Sequence, residues 1–63
     1  MRIDDINEIA ADQIKQNTML TTSDKVLFEQ ATVAMEEIYG SGCETEIDAY
    51  FRGAKWMQKQ FNK

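Results

Sequence analysis

The sequence predicts an all-α protein, a single domain over residues 1–63 built from three helices, and three observations carry that reading. The chain has no proline, so nothing in it forbids a long helix. Apolar residues recur at three- and four-residue intervals through three segments, which is the period of an amphipathic helix. Gly40-Ser41-Gly42 then supplies the clearest break, and no internal repeat or low-complexity tract interrupts the pattern.

The first helix is predicted over about 5–17. Asp5 is placed to cap it, with Glu8 three residues on to complete a capping box. Ile3, Ile6, Ala10 and Ile14 form one narrow stripe, which Ile9 widens. The segment from Asn17 to Thr21 reads as a turn whose Met19 and Leu20 return to the core. The second helix is predicted over about 22–39, opened by Thr21, Thr22 or Ser23, with Asp24 suiting the positive end of the helix dipole. Leu27, Ala31, Ala34 and Ile38 make its central stripe, flanked by Phe28, Met35 and Tyr39. Gly40 stands where a left-handed cap belongs. The third helix is predicted over about 44–61, capped by Ser41, Cys43 or Thr45. Its apolar face is Ile47, Tyr50, Phe51, Ala54, Met57 and Phe61.

So short a linker makes the second and third helices an antiparallel hairpin. The first helix is expected to pack across both. The alternative is a long hairpin whose first helix packs on a second subunit.

At 63 residues the core is small, because short chains bury a smaller share of their surface. A single core of this size supplies no more than about 3–5 kcal/mol without a staple. Cys43 is the one cysteine and there is no histidine, so neither an internal disulfide nor a zinc site is expected. Self-association is the remaining staple.

Hydrophobic residues at 43% and charged residues at 29% mark a globular rather than a disordered chain. No apolar run approaches the roughly 18 residues of a membrane span. The start, Met1-Arg2-Ile3-Asp4-Asp5, turns acidic at once and does not read as a signal peptide. With one free thiol, the expected location is cytoplasmic.

Charge is unevenly spread. Residues 1–48 hold all eleven acidic residues and three basic ones, a net −8, whereas residues 49–63 hold four basic residues and no acidic one, a net +4. Such asymmetry bears on partners and orientation rather than on fold.

No catalytic constellation is visible. Without histidine the usual neutral-pH acid–base group and the commonest metal ligand are missing. No Walker-type glycine loop occurs. Asp5, Glu8 and Asp12 share a side of the first helix, but a solvated face favoured by the dipole accounts for them. Cys43 is near no basic residue and beside Glu44, which opposes a thiolate. The reading is therefore non-enzymatic, with no metal and no cofactor.

The third helix is the informative one. Arg52, Lys55, Trp56, Lys59 and Lys63 share a face turned from its apolar stripe. Arg52, Lys55, Lys59 and Lys63 are the candidates for phosphate contacts, with Trp56 to stack on a base. The competing account is that cations belong near a helix C-terminus and that Arg52 stacks on Trp56. Four cations on a chain of net −4 are a small footprint for nucleic-acid binding.

Ala49 and Gly53 sit four apart beside Trp56. Gly53 costs about 0.8–1.0 kcal/mol relative to alanine inside a helix, which implies a close approach, either within the chain or between subunits. Val26 and Val33 project from the second helix, away from Phe28 and Met35. The interface candidates are thus Val26, Val33, Ala49, Gly53 and Trp56, placed at a two-fold contact that also brings the acidic first helix of one chain to the basic third helix of another.

Residues 50–57, Tyr50-Phe51-Arg52-Gly53-Ala54-Lys55-Trp56-Met57, resemble the C-terminal helix of small phage and prophage proteins that end in an aromatic-x-Gly-Ala-x-Trp helix. The resemblance covers about one fifth of the chain and carries no catalytic residue. It implies a phage-encoded chain in a bacterial cytosol, where small acidic helical proteins act by blocking a host protein. The expected function is an interaction protein that forms a homodimer or larger assembly and binds a protein partner. A nucleotide or nucleic-acid binding module on the basic face is the alternative, and a purely structural helical subunit is the third.

Overall fold

The computed structural model describes residues 2–17 and 19–61, and three α-helices account for most of them: α1 (Ile3–Gln16), α2 (Asp24–Tyr39) and α3 (Glu44–Phe61). Helix α1 begins two residues earlier than expected. Arg2 is extended and precedes it, and the Arg2 N–H donates to Asp5 Oδ2 at 3.4 Å. Asp5 therefore acts from inside the first turn, reaching back as the acidic half of a capping box, and is not itself the cap. Of the turn that follows, Thr18 lies outside the described residues, and Met19 and Leu20 pack against the core as expected.

Ser23 is the residue that precedes α2, and its carbonyl accepts from the Leu27 N–H at 3.0 Å. The helix ends at Gly40, whose φ is +80° and ψ −167°. The positive φ agrees with expectation, but this ψ leaves the left-handed helical region for one essentially restricted to glycine. Gly42 also has a positive φ, +83°, so the linker turns twice on glycines before Cys43. The Cys43 carbonyl accepts from the Ile47 N–H at 2.9 Å and opens α3.

Helix α3 is the spine. Both other helices pack on it, α1 most extensively, whereas the backbones of α1 and α2 scarcely approach one another. The expectation that α1 lies across both is thus corrected, and α1 has its partner within its own chain. Along α2 and α3 the contacts step in opposite directions. Asp24 meets Lys55, and four residues later Phe28 meets Phe51 edge-on, with ring centroids 5.8 Å apart. That is the order an antiparallel pair produces.

The largest fully buried side chains are Ile6, Ile14, Leu27 and Met35, and each helix adds a fully buried alanine, Ala10, Ala31 and Ala54. Small side chains at these positions let the helices approach closely. Four residues expected on the apolar sides of their helices are exposed: Ile3, Phe28, Ile38 at 56% and Phe61 at 64%. Ile3, Ile38 and Phe61 stand at the first, penultimate and last positions of their helices, past the packed middles, whereas Phe28 reaches only the edge of Phe51 and is covered on that side alone.

One buried polar group ties the layers together. Gln58 is buried on α3, and its Nε2 donates to the carbonyls of Met19 and Thr22, both at 2.9 Å. The turn between α1 and α2 is thereby pinned to α3. Replacing Gln58 by Leu should lower stability by about 1–3 kcal/mol, since two carbonyls lose a donor that water cannot easily replace. A urea titration that showed the Leu variant as stable as the parent would mean those carbonyls are already wet.

Candidate interaction surface

The side chains that α3 does not bury follow from its period. Residues 48, 52, 55, 56 and 59 fall on one arc of the helix, and all are exposed. Arg52 Nε pairs with Asp48 Oδ2 at 2.9 Å within the helix, and Lys55 Nζ reaches Asp24 Oδ1 on α2 at 2.6 Å. Both pairs are well exposed, so each contributes little to stability. Their effect here is local: two of the phosphate candidates already face a carboxylate. Among the described residues Lys59 forms no ion pair, and Lys63 lies outside them.

Trp56 is 56% exposed and forms a ridge between two grooves. On one side an open groove of about 570 Å³ runs between α1 and α3, walled by Glu8 and Asp12 on the α1 lip, with Arg52, Ala11, Gly53 and Met57 also lining it. On the other side a smaller groove of about 390 Å³ is lined by Arg52, Lys55, Gln58 and Lys59. Arg52 thus lines both grooves, beside Glu8 and Asp12 in the first and beside Lys55 and Lys59 in the second. Sequence reading identified the cations and the ring, but not the acidic lip, because only the docking of α1 on α3 brings Glu8 and Asp12 beside Trp56.

The interface candidates divide. Val26, Val33 and Trp56 are exposed, whereas Ala49 is 3% exposed and Gly53 is buried. A Cβ on Gly53 would sit 2.7 Å from Asn7 Cα, and nearer still to the Asn7 carbonyl oxygen. Ala49 and Gly53 are thus withdrawn from the intersubunit set: the close approach implied by Gly53 is the one between α3 and α1 of the same chain.

A third open groove, of about 320 Å³, lies where α1 and α2 stand apart, with Ile9, Val33, Ala34 and Ile38 among its lining. Cys43 is buried, out of reach of a dissolved substrate. Burial pushes the Tyr50 phenol above its ordinary value by desolvation. Among the described residues no cluster of three or more Cys, Asp or Glu side chains is arranged to hold a metal ion, and no helix is long and apolar enough to cross a membrane. Comparison with protein-family models, with curated proteins and with solved structures finds no match.

Proposed function

We propose that the protein is a non-enzymatic interaction protein that associates with itself and binds a protein partner. One observation carries the reading. Among the described residues Ile3, Val26, Phe28, Val33, Ile38, Trp56 and Phe61 are large, apolar and exposed, against Ile6, Ile14, Leu27 and Met35 as the largest fully buried side chains. Single exposed apolar residues are ordinary on any surface, but this proportion on so small a chain supports burial against another molecule. Tryptophan is also a preferred interface anchor. The carboxylates already facing Arg52 and Lys55 weigh toward a protein rather than a phosphate ligand.

The acidic first 48 residues suit a basic partner surface, and the resemblance of residues 50–57 adds the proposal of a phage-encoded chain that blocks a host protein in the bacterial cytosol. Light scattering at micromolar concentration should report a dimer or larger species. The melting temperature should rise with protein concentration, since association stabilises only the folded chain. A monomer with a concentration-independent melting temperature would contradict the self-association.

A further inference from the structure

Of the three grooves, only the one between α1 and α2 has no cation in its lining. Ile9, Val33, Ala34 and Ile38 give it apolar walls, Tyr50 of α3 also lines it, and Glu37 is its one charged residue. The charges around it have the same sign. Asp5 and Asp12 stand one turn to either side of Ile9 on α1, and Glu29 and Glu36 one turn to either side of Val33 on α2, all exposed. Residues at such spacings are neighbours on a helix surface, although Asp12 also faces the groove beside Trp56. The cations of these helices point elsewhere: at about 100° per residue, Lys15 projects roughly 160° from Gln13 and Lys25 roughly 140° from Gln30. Arg2 precedes α1, beyond the lined length of the groove. Together α1 and α2 hold eight acidic residues and two basic ones, a net −6.

We propose that this groove receives an amphipathic helix of a partner protein, its apolar residues seated between α1 and α2 and lysine or arginine on its flanks. The proposal rests on the reading of a protein-binding chain and adds the site and the chemistry of what enters it. Shape selects a helix. Ile9, Gln13 and Asn17 on α1, and Gln30, Ala34 and Ile38 on α2, recur every four residues as two ridges, and the valley between such ridges fits the ridge of a third helix. The lined stretch, Ile9 to Asn17 and Gln30 to Ile38, is about 12 Å long at 1.5 Å per residue, two turns of a guest. Charge selects cations on its flanks. Charge also disfavours a second copy, because a two-fold contact here sets Glu37 and its acidic neighbours against themselves. The cationic arc of α3 fits no better, since Arg52, Lys55 and Lys59 flank a single exposed apolar side chain, Trp56, where the groove seats a row.

Two fluorescein-labelled peptides of about 18 residues, long enough to hold a helix, test this. Both carry leucine at three- and four-residue spacing, with lysine at most other positions in one and glutamate in the other. In anisotropy titrations of the full chain, the lysine peptide should bind at least about 10-fold more tightly, and added salt should narrow the difference. Val33→Ser with Ile38→Ser, both at exposed positions, should weaken the lysine peptide roughly 30-fold by removing apolar contacts. Glu36→Lys with Glu37→Lys should weaken it too and improve the glutamate peptide. Trp56→Ala, on another face, should leave both unchanged. Circular dichroism should show each variant as helical as the parent.

If the lysine peptide binds wild type and the serine variant equally, the groove is wrong and a basic partner stands. Equal binding of the two peptides overturns the charge assigned to the occupant. A wild-type dimer that the serine pair converts to monomer gives the groove to a second copy and overturns the occupant itself. Binding of neither peptide overturns the proposal, while light scattering decides self-association separately.

Discussion

Gly53→Ala should destabilise the protein by at least about 2 kcal/mol, although alanine is the better helix former by about 0.8–1.0 kcal/mol. The added methyl would meet the Asn7 backbone, with the α-carbon at 2.7 Å. Backbone inside α1 cannot rotate aside as a side-chain end can. Restoring van der Waals separation needs the two helices to part by about 1 Å, and overpacking of a filled interior typically costs about 1–3 kcal/mol, occasionally more. The displacement would also disturb Ala10, which is fully buried. Gly53→Leu should prevent stable folding altogether, and not merely dissociate an oligomer. Denaturant titrations at fixed protein concentration decide the matter: an alanine variant more stable than the parent would show that helix propensity outweighs the contact.

Leu27→Ala should be of similar or greater consequence. Leu27 is among the largest fully buried side chains and comes from α2, the helix that approaches α3 less extensively than α1 does. Truncating a buried leucine costs about 2–5 kcal/mol through lost transfer energy and the cavity left behind. A core this small supplies about 3–5 kcal/mol, so the variant is expected to be substantially unfolded at room temperature. Val33→Ala, on the exposed side of the same helix, should change the stability of the isolated chain by about 0.5 kcal/mol or less. Comparable losses from the two substitutions, read from the far-ultraviolet dichroism, would mean the Val33 side of α2 is covered in solution.

Helical period made much of this architecture legible. The third helix occupies the residues expected of it, and Ile6, Ala10, Ile14, Leu27, Ala31, Ile47 and Ala54 are buried as their stripes require. A stripe, however, describes one face toward one neighbour. Helix α3 has two neighbours, so it buries a wide arc that runs from Ala49 and Gly53 through Tyr50 and Ala54 to Gln58. From the sequence, Ala49 and Gly53 fall between two faces and fit a close approach either within the chain or between subunits, and Gln58, being polar, belongs to no apolar stripe. The signal for Gln58 was its position four residues after Ala54, on the same side of the helix. Ile3, Ile38 and Phe61 show the opposite error: periodicity says which way a side chain points but not whether a neighbour extends far enough to cover it. At the candidate site, the exposure of Arg52, Lys55, Trp56 and Lys59 could be read from α3 alone. The acidic lip opposite them is a tertiary product, since Glu8 and Asp12 lie some forty residues away in the chain.

That α3 is the shared support also sets the order in which the chain can fold during synthesis. Helices α1 and α2 leave the ribosome first, yet their backbones scarcely approach one another, and isolated helices of this length are marginal in water. Neither has its main docking surface until residues 44–61 have emerged. At about 5–20 residues per second, making residues 36–61 takes roughly 1–5 seconds, and through that interval Ile6, Ile14, Leu27 and Met35 lack the cover of α3. Whatever meets those side chains in that interval competes directly with α3.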